Sequence, residues 1–175
     1  MIERIIIVGK GGSGKDYLRK NLEMMGFKYC TSHTTRPPRD GEVNGVDYFF
    51  ISDSDAESLI LDDSFYEFVT FNNWIYGTSK TEFYSSQLFI MTPSGLGKLL
   101  PEDRAESFVV YLDIEEDVRR DRLMQRNDAD NVERRLGADH KDFEGFKDYD
   151  LKITNPTFDT FLEIIEESKI GIKND

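Results

Sequence analysis

Seven residues, Gly9-Lys10-Gly11-Gly12-Ser13-Gly14-Lys15, follow directly on an apolar run, Ile5-Ile6-Ile7-Val8. The run reads as a strand that delivers the chain to a tight turn. Glycines let backbone N–H groups close around an anion, and the next helix points its positive end at it. Strand, glycines, Lys15 and helix fall in the order of a phosphate-binding loop, so a nucleoside triphosphate is the first ligand to consider. Gly9, Gly11, Gly12, Ser13 and Gly14 are the expected cradle, and Lys15 is expected to reach the β- and γ-phosphates. One position departs from the pattern. Asp16 stands where a Ser or Thr hydroxyl would ligate Mg²⁺. A carboxylate also ligates Mg²⁺ and is favourable at a helix N-terminus, but it adds negative charge beside the phosphates. The alternative for Asp16 is a purely local role, capping the helix or pairing with Lys15.

Alternation of strands and helices continues along the chain. Helical spacing of Leu18, Leu22 and Met25 predicts a helix over residues 14–25, and 28–30 read as a short strand. Residues 46–51, 65–71 and 74–78 read as strands, with a short helix through Leu61 capped by Asp53 or Ser54. Two further apolar runs, 87–91 and 108–112, read as buried parallel strands, and Pro93-Ser94-Gly95 opens a helix between them. Helices are expected over 114–126 and 131–140, and a last strand over 152–154. A terminal helix is expected from Asn155-Pro156, with Phe158, Phe161, Leu162 and Ile165 on one face. This order predicts an α/β fold with a mainly parallel sheet flanked by helices. Residues 31–80 break the alternation and read as a small β-rich insertion.

Composition bounds the partners. A length of 175 residues fits one domain, and 38% apolar residues are enough for a core. The net charge of −12 disfavours binding to nucleic-acid polymer through the overall field, although the arginines cluster locally. Those clusters are Arg36 with Arg39, and Arg119, Arg120, Arg122, Arg126, Arg134 and Arg135. No apolar stretch reaches membrane-span length, and the first residues lack a signal-peptide layout. A single cysteine, Cys30, agrees with a reducing compartment, so a cytoplasmic protein without membrane partners is expected. Oligomeric state is left at monomer or homodimer.

The segment from Ser32 to Tyr48 reads Ser-His-Thr-Thr-Arg-Pro-Pro-Arg-Asp-Gly-Glu-Val-Asn-Gly-Val-Asp-Tyr. It matches nearly throughout the form S-x-T-T-R-x-P-R-x-G-E-x-x-G-x-D-Y, and here the chain resembles the guanylate kinase family of nucleoside monophosphate kinases. The resemblance extends through Phe65-Tyr66-Glu67, Ile75-Tyr76-Gly77-Thr78-Ser79, Arg122-Leu123-Met124-Gln125-Arg126, Arg134-Arg135-Leu136 and Ile153-Thr154-Asn155. It implies a P-loop nucleoside monophosphate kinase fold with a β-rich acceptor-binding insertion and a helical lid. As one domain over 1–175, the core would be 1–30, 81–125 and 150–175, the acceptor region 31–80 and the lid 126–149.

By this resemblance Ser32, Arg36, Arg39, Tyr48 and Tyr76 would hold the acceptor phosphate, a dianion suited to the forked donors of arginine. Glu67 would accept the two adjacent N–H donors of guanine, and Thr78 would donate to its carbonyl. Lys15, Arg36, Arg126 and Arg135 would stabilise the transferring group, with Arg122 in support. Asn155 would lie near the adenine of ATP. Arg119 and Arg120, surrounded by Glu115, Glu116, Asp117 and Asp121, read instead as surface i,i+4 pairs. The activity implied is phosphorylation of GMP, and of dGMP, by ATP with Mg²⁺ as cofactor, yielding the diphosphate and ADP. The attacking phosphate oxygen is already ionised, so no general base is required.

A second departure follows the strand over 87–91. The family usually carries acidic residues there, and Ile90 and Thr92 occupy those positions. Thr92 keeps a hydroxyl for the acceptor, and Asp16 is the metal-ligand candidate that would partly replace the missing acid. These departures leave an alternative: a weakened module that binds nucleotide or a phosphorylated partner, or a deoxynucleoside monophosphate kinase with altered base preference.

Overall fold

The computed structural model describes residues 2–71, 73–125, 131–154 and 158–168. In chain order the elements are β1 (Arg4–Gly9), α1 (Lys15–Met24), β2 (His33–Thr34), β3 (Phe49–Phe50), α2 (Asp53–Leu61), β4 (Phe65–Phe71), β5 (Trp74–Ser79) and α3 (Lys80–Ser85). They continue with β6 (Leu88–Ile90), α4 (Pro93–Leu96), α5 (Pro101–Ala105), β7 (Ser107–Leu112), α6 (Glu116–Met124), α7 (Val132–Asp142), β8 (Leu151–Ile153) and α8 (Asp159–Ser168). The chain divides into two compact units, Met1–Tyr29 with Gln87–Asp175, and Cys30–Ser86.

The first unit is built on a parallel sheet in the order β6-β1-β7-β8. Ile5, Ile6, Ile7 and Val8 of β1 are all fully buried, as a central strand covered on both faces demands. Ile5 and Ile7 share one face and pack with Leu18 and Leu22 of α1, Val110 and Leu112 of β7, and Phe161 and Ile165 of α8. At the start of β1, buried Arg4 pairs with Asp103 at 3.4 Å and Glu106 at 3.3 Å.

Two expectations in this unit are corrected. Residues 28–30 form no strand; Tyr29 makes a single bridge to Leu88. The Lys28 carbonyl accepts the N–H groups of both Gln87 and Leu88, so a regular ladder cannot continue. The terminal helix begins at Asp159, because Phe158 adopts a left-handed φ of 62° and its ring is buried. Residues 155–157 lie outside the described residues.

The second unit holds a mixed sheet in the order β3-β2-β5-β4, with β2 and β3 parallel and the other pairs antiparallel. β4 and β5 form the hairpin the aromatic and β-branched residues suggest, with Asn73 at φ 65° in its turn. Tyr66 stacks on Phe83 of α3 with ring centroids 3.7 Å apart. The strand expected over 46–51 shrinks to Phe49–Phe50. Val43 to Tyr48 coil into turns instead: Val46 and Asp47 N–H groups donate to the Val43 carbonyl, and the Asp47 carboxylate accepts the Val43 N–H at 2.8 Å. Ser52, one residue before the expected caps, starts α2 with a capping box to Asp55.

Candidate active site

The phosphate loop runs from Gly9 to Lys15 in the first unit, and its backbone explains its glycines. Gly12 and Gly14 have φ of 75° and 97°, and a β-carbon at Gly14 would lie 2.9 Å from the Phe158 ring. A β-carbon at Gly9 would lie 2.5 Å from the Ser13 hydroxyl. Gly14→Ala therefore meets both left-handed strain and a ring. We expect it to cost about 2 kcal/mol or more and lower Tm by about 4–8 °C. Thermal unfolding checks this, and a parental Tm would contradict the loop conformation.

Lys15 Nζ donates to the carbonyls of Gly9 at 2.7 Å and Lys10 at 3.1 Å, which holds the ammonium across the loop. Asp16 sits in the first turn of α1 with its side chain 67% exposed, 3.9 Å from Arg19 Nε. It is not the cap, since Gly14 takes that position, and the described ion pair is with Arg19. A hard, accessible carboxylate one residue after Lys15 fits the donor chemistry of Mg²⁺.

The outer face of the loop is held from α6 and α7. Arg119 corrects its expectation: its side chain is buried, and it donates to the carbonyls of Ile114 at 3.0 Å and Gly11 at 3.3 Å. Arg120 does make the surface pairs, with Glu116 at 2.9 Å and with Glu133. Arg122 donates to the Gly12 carbonyl at 3.1 Å. The Gly11 N–H donates to the Asp139 carboxylate at 2.8 Å. Arg135 is half-buried on α7, whose N-terminus Asn131 caps through Glu133 and Arg134 N–H groups. Arg126 and Asn155 lie outside the described residues.

The second unit gathers the acceptor candidates. Glu67 and Thr78 are cross-strand partners of β4 and β5, and Thr78 Oγ1 donates to Glu67 Oε1 at 2.9 Å. Ser32 Oγ lies 3.5 Å from Thr78 Oγ1. Tyr76 shares a face of β5 with Thr78, a separation of roughly 7 Å along the strand. The Tyr76 and Tyr48 rings meet edge to face, with centroids 6.1 Å apart, and the Arg36 guanidinium lies 5.4 Å from the Tyr48 ring centre. A carboxylate–hydroxyl group and an arginine–tyrosine group thus stand side by side, anchored on one face of β5 by Thr78 and Tyr76 and completed by Ser32, Arg36 and Tyr48 from the flanking loops.

Arg36 is 4% exposed and its guanidinium forms a forked pair with Glu42, Nη1 to Oε2 at 3.0 Å and Nη2 to Oε1 at 2.9 Å. Glu42 also accepts the Arg39 N–H at 2.7 Å. Burial alone would raise the Glu42 pKa, but Arg36 and the Arg39 N–H outweigh it and hold the carboxyl below its usual range. Burial alone would lower the Arg36 pKa, and Glu42 reverses that and raises it. The Arg39 side chain is exposed. Thr34 and Thr35 tie this loop to β5: Thr34 Oγ1 donates to the Ile75 carbonyl, and Thr35 Oγ1 accepts the Ile75 N–H.

Thr92 lies in the first unit, where its hydroxyl accepts the Gly95 N–H at 3.0 Å and caps α4. Sequence reasoning missed three residues. Glu42 carried a signal, a carboxylate three residues after Arg39 in a turn. Asp139 and Arg119 carried none, because Gly11 is 128 and 108 residues away from them.

Among the described residues no helix is long and apolar enough to cross a membrane, and no three His, Cys, Asp or Glu residues gather to hold a metal. The family model for guanylate kinase matches residues 1–169. A guanylate kinase of Nostoc sp. is 30% identical over 177 residues, covering 95% of this chain and 89% of the relative. A guanylate kinase of Sus scrofa is 30% identical over 178 residues, covering 94% and 90%. The crystal structure of guanylate kinase from Anaplasma phagocytophilum superposes with a TM-score of 0.69 at 18% identity, covering 95% of this chain and 84% of that one. That likeness establishes a shared α/β fold.

Proposed function

This chain belongs to the guanylate kinase family, and we propose how its residues carry out the transfer of the γ-phosphoryl group of ATP to GMP. The products are ADP and GDP. The observation that carries this reading is the joint presence, anchored on β5, of the Glu67–Thr78–Ser32 group and the Arg36–Tyr48–Tyr76 group. The first suits the adjacent N–H donors and the carbonyl of guanine, and the second suits a phosphate dianion.

The phosphate loop binds the triphosphate through its N–H groups and Lys15. Ser32, Arg36, Arg39, Tyr48 and Tyr76 hold the acceptor phosphate, whose ionised oxygen attacks in line. Arg126 and Arg135 add positive charge as charge develops on the transferring group, and Asn155 borders the adenine. Asp16 is the residue that would hold Mg²⁺, which when bound neutralises charge on the β- and γ-phosphates. The acceptor set addresses the base and the phosphate, which dGMP shares with GMP, so dGMP is proposed as a second substrate. With one cysteine, Cys30, buried and free, and a net charge of −12, a cytoplasmic enzyme acting as monomer or homodimer is the setting we infer.

A coupled ADP-release assay with GMP, dGMP, AMP and UMP tests the reading. Turnover is expected with the two guanine nucleotides, and none with any acceptor would sink it. Neither alternative left by the sequence, a weakened binding module or a deoxynucleoside monophosphate kinase with altered base preference, is favoured by relatives called guanylate kinase across most of the chain.

Asp16→Ala, which leaves no side-chain oxygen for the metal, separates the metal role from a local one. Losing one charge next to the metal should raise the Mg²⁺ concentration for half-maximal rate about 5- to 10-fold, or ~1 kcal/mol. An unchanged metal dependence would leave Asp16 with only its Arg19 contact.

A further inference from the structure

One carboxylate on α7 joins that helix to the phosphate loop. Asp139 Oδ2 accepts the Gly11 N–H at 2.8 Å, and Arg119 Nη1 lies 3.5 Å from the same oxygen. Arg119 Nη1 also donates to the Gly11 carbonyl, so a single ion pair occupies both backbone polar groups of Gly11. The approach is close: a β-carbon at Gly11 would lie 3.1 Å from Oδ2, and the carboxylate would have to give way by a few tenths of an ångström. A carboxylate beside an anion site would repel a triphosphate; the buried guanidinium of Arg119 offsets that charge. Beyond the end of α7, Lys10 Nζ of the loop lies 5.9 Å from the Phe143 ring centre, a second contact in the same direction.

Arg135 is four residues before Asp139, one turn up the same helix. Side chains at i and i+4 lie one above the other on a helix face. Fixing Asp139 to Gly11 therefore fixes the turn that carries Arg135 relative to the loop. We propose that Asp139 is a positioning residue: it docks α7 on the phosphate loop and so sets where Arg135 stands against the phosphates held there. This rests on the kinase reading above for Arg135, but the docking itself does not.

The test is a double-mutant cycle with a structural readout. Asp139→Ala is expected to lower kcat about tenfold, the loss of one charge-assisted hydrogen bond to the backbone, with KM for GMP within about twofold. Asp139→Asn keeps an oxygen acceptor for the Gly11 N–H and should recover most of the rate. In an Arg135→Ala background, Asp139→Ala should change kcat by less than about twofold, because the two act as one unit. Hydrogen exchange without nucleotide should show faster exchange over residues 132–142 in Asp139→Ala. Multiplying effects in the cycle, a parental kcat in Asp139→Ala or Arg135→Ala, or unchanged exchange over 132–142 in Asp139→Ala would each overturn the proposal. If Asp139→Ala does not fold, Asp139→Asn runs the same cycle, with a smaller loss that must again vanish without Arg135. A parent enzyme that turns over no GMP defeats the kinase reading instead, and the exchange result still judges the docking.

Discussion

Lys15→Ala is expected to lower kcat for GMP phosphorylation by about 10²- to 10³-fold, the cost of removing one preorganised donor from a developing charge. The ammonium is already in place: it spans the loop through the Gly9 and Lys10 carbonyls at 2.7 and 3.1 Å. Gly9 is buried and Lys10 half-exposed, so water replaces the donor at the Lys10 carbonyl while the Gly9 carbonyl loses a partner, and Tm should fall by about 2–4 °C for the ~1 kcal/mol lost. Lys15→Arg should not restore the rate, because a planar fork does not fit the span of a compact ammonium. Steady-state kinetics with calorimetry of an ATP analogue reads both consequences. Turnover within about threefold of the parent would remove Lys15 from the catalytic set.

Arg36→Ala is expected to act twice, on binding and on stability. It removes the forked donor proposed for the acceptor phosphate, so KM for GMP should rise about 100-fold, while KM for ATP stays within about twofold. It also strands Glu42, whose side chain is 19% exposed, without its guanidinium partner. Leaving one member of such a pair costs about 2–3 kcal/mol, discounted for the solvent that reaches Glu42, and should lower Tm by about 4–10 °C. Glu42→Gln, by contrast, should shift GMP affinity much less, because the guanidinium remains. A pH signature follows from the same pair. The Glu42 pKa is held below its unfolded value, so its stabilisation is present above the unfolded carboxylate pKa and is lost as pH falls through the folded one. In Arg36→Ala that acid-side loss of stability should flatten. Parental GMP affinity together with a parental acid unfolding profile would contradict both roles.

The phosphate loop could be read directly because its chemistry is contiguous. Glycines, lysine and the preceding apolar strand lie within eleven residues, and the backbone conformations they need are local. The acceptor segment was recognisable by its resemblance to a family motif because Arg36 and Tyr48 share one stretch, whereas the pairing of Arg36 with Glu42 emerged only from the turns between them. Strand boundaries were less legible where a single side chain decided the outcome. The Asp47 carboxylate coils residues 43–48 on themselves and ends the strand expected over 46–51. The Lys28 carbonyl takes two N–H donors and leaves a bridge in place of a strand.

Arg119 shows what local spacing misreads. Carboxylates one turn away suggested a solvated pair, yet its partners are Gly11, Ile114 and Asp139. Arg120, its neighbour, meets the same surroundings on the solvent side and behaves as the spacing indicates. The difference is the face of α6 on which each residue falls, which depends on what the helix packs against.

By itself, then, the sequence pointed to a phosphate-binding loop at Gly9 to Lys15 and, through its resemblance to the guanylate kinase family, to the monophosphate site proposed around Arg36. Both are short segments whose backbone geometry and charge are set by neighbouring residues. Only the tertiary structure decided what holds those segments in place: Arg119 and Asp139 on the loop, Thr34 and Thr35 on β5, Phe158 against Gly14. These are contacts between elements far apart in the chain, or between a loop and a strand. Their existence depends on packing that brings a donor within about 3 Å of its acceptor, and no local pattern of residues encodes that distance.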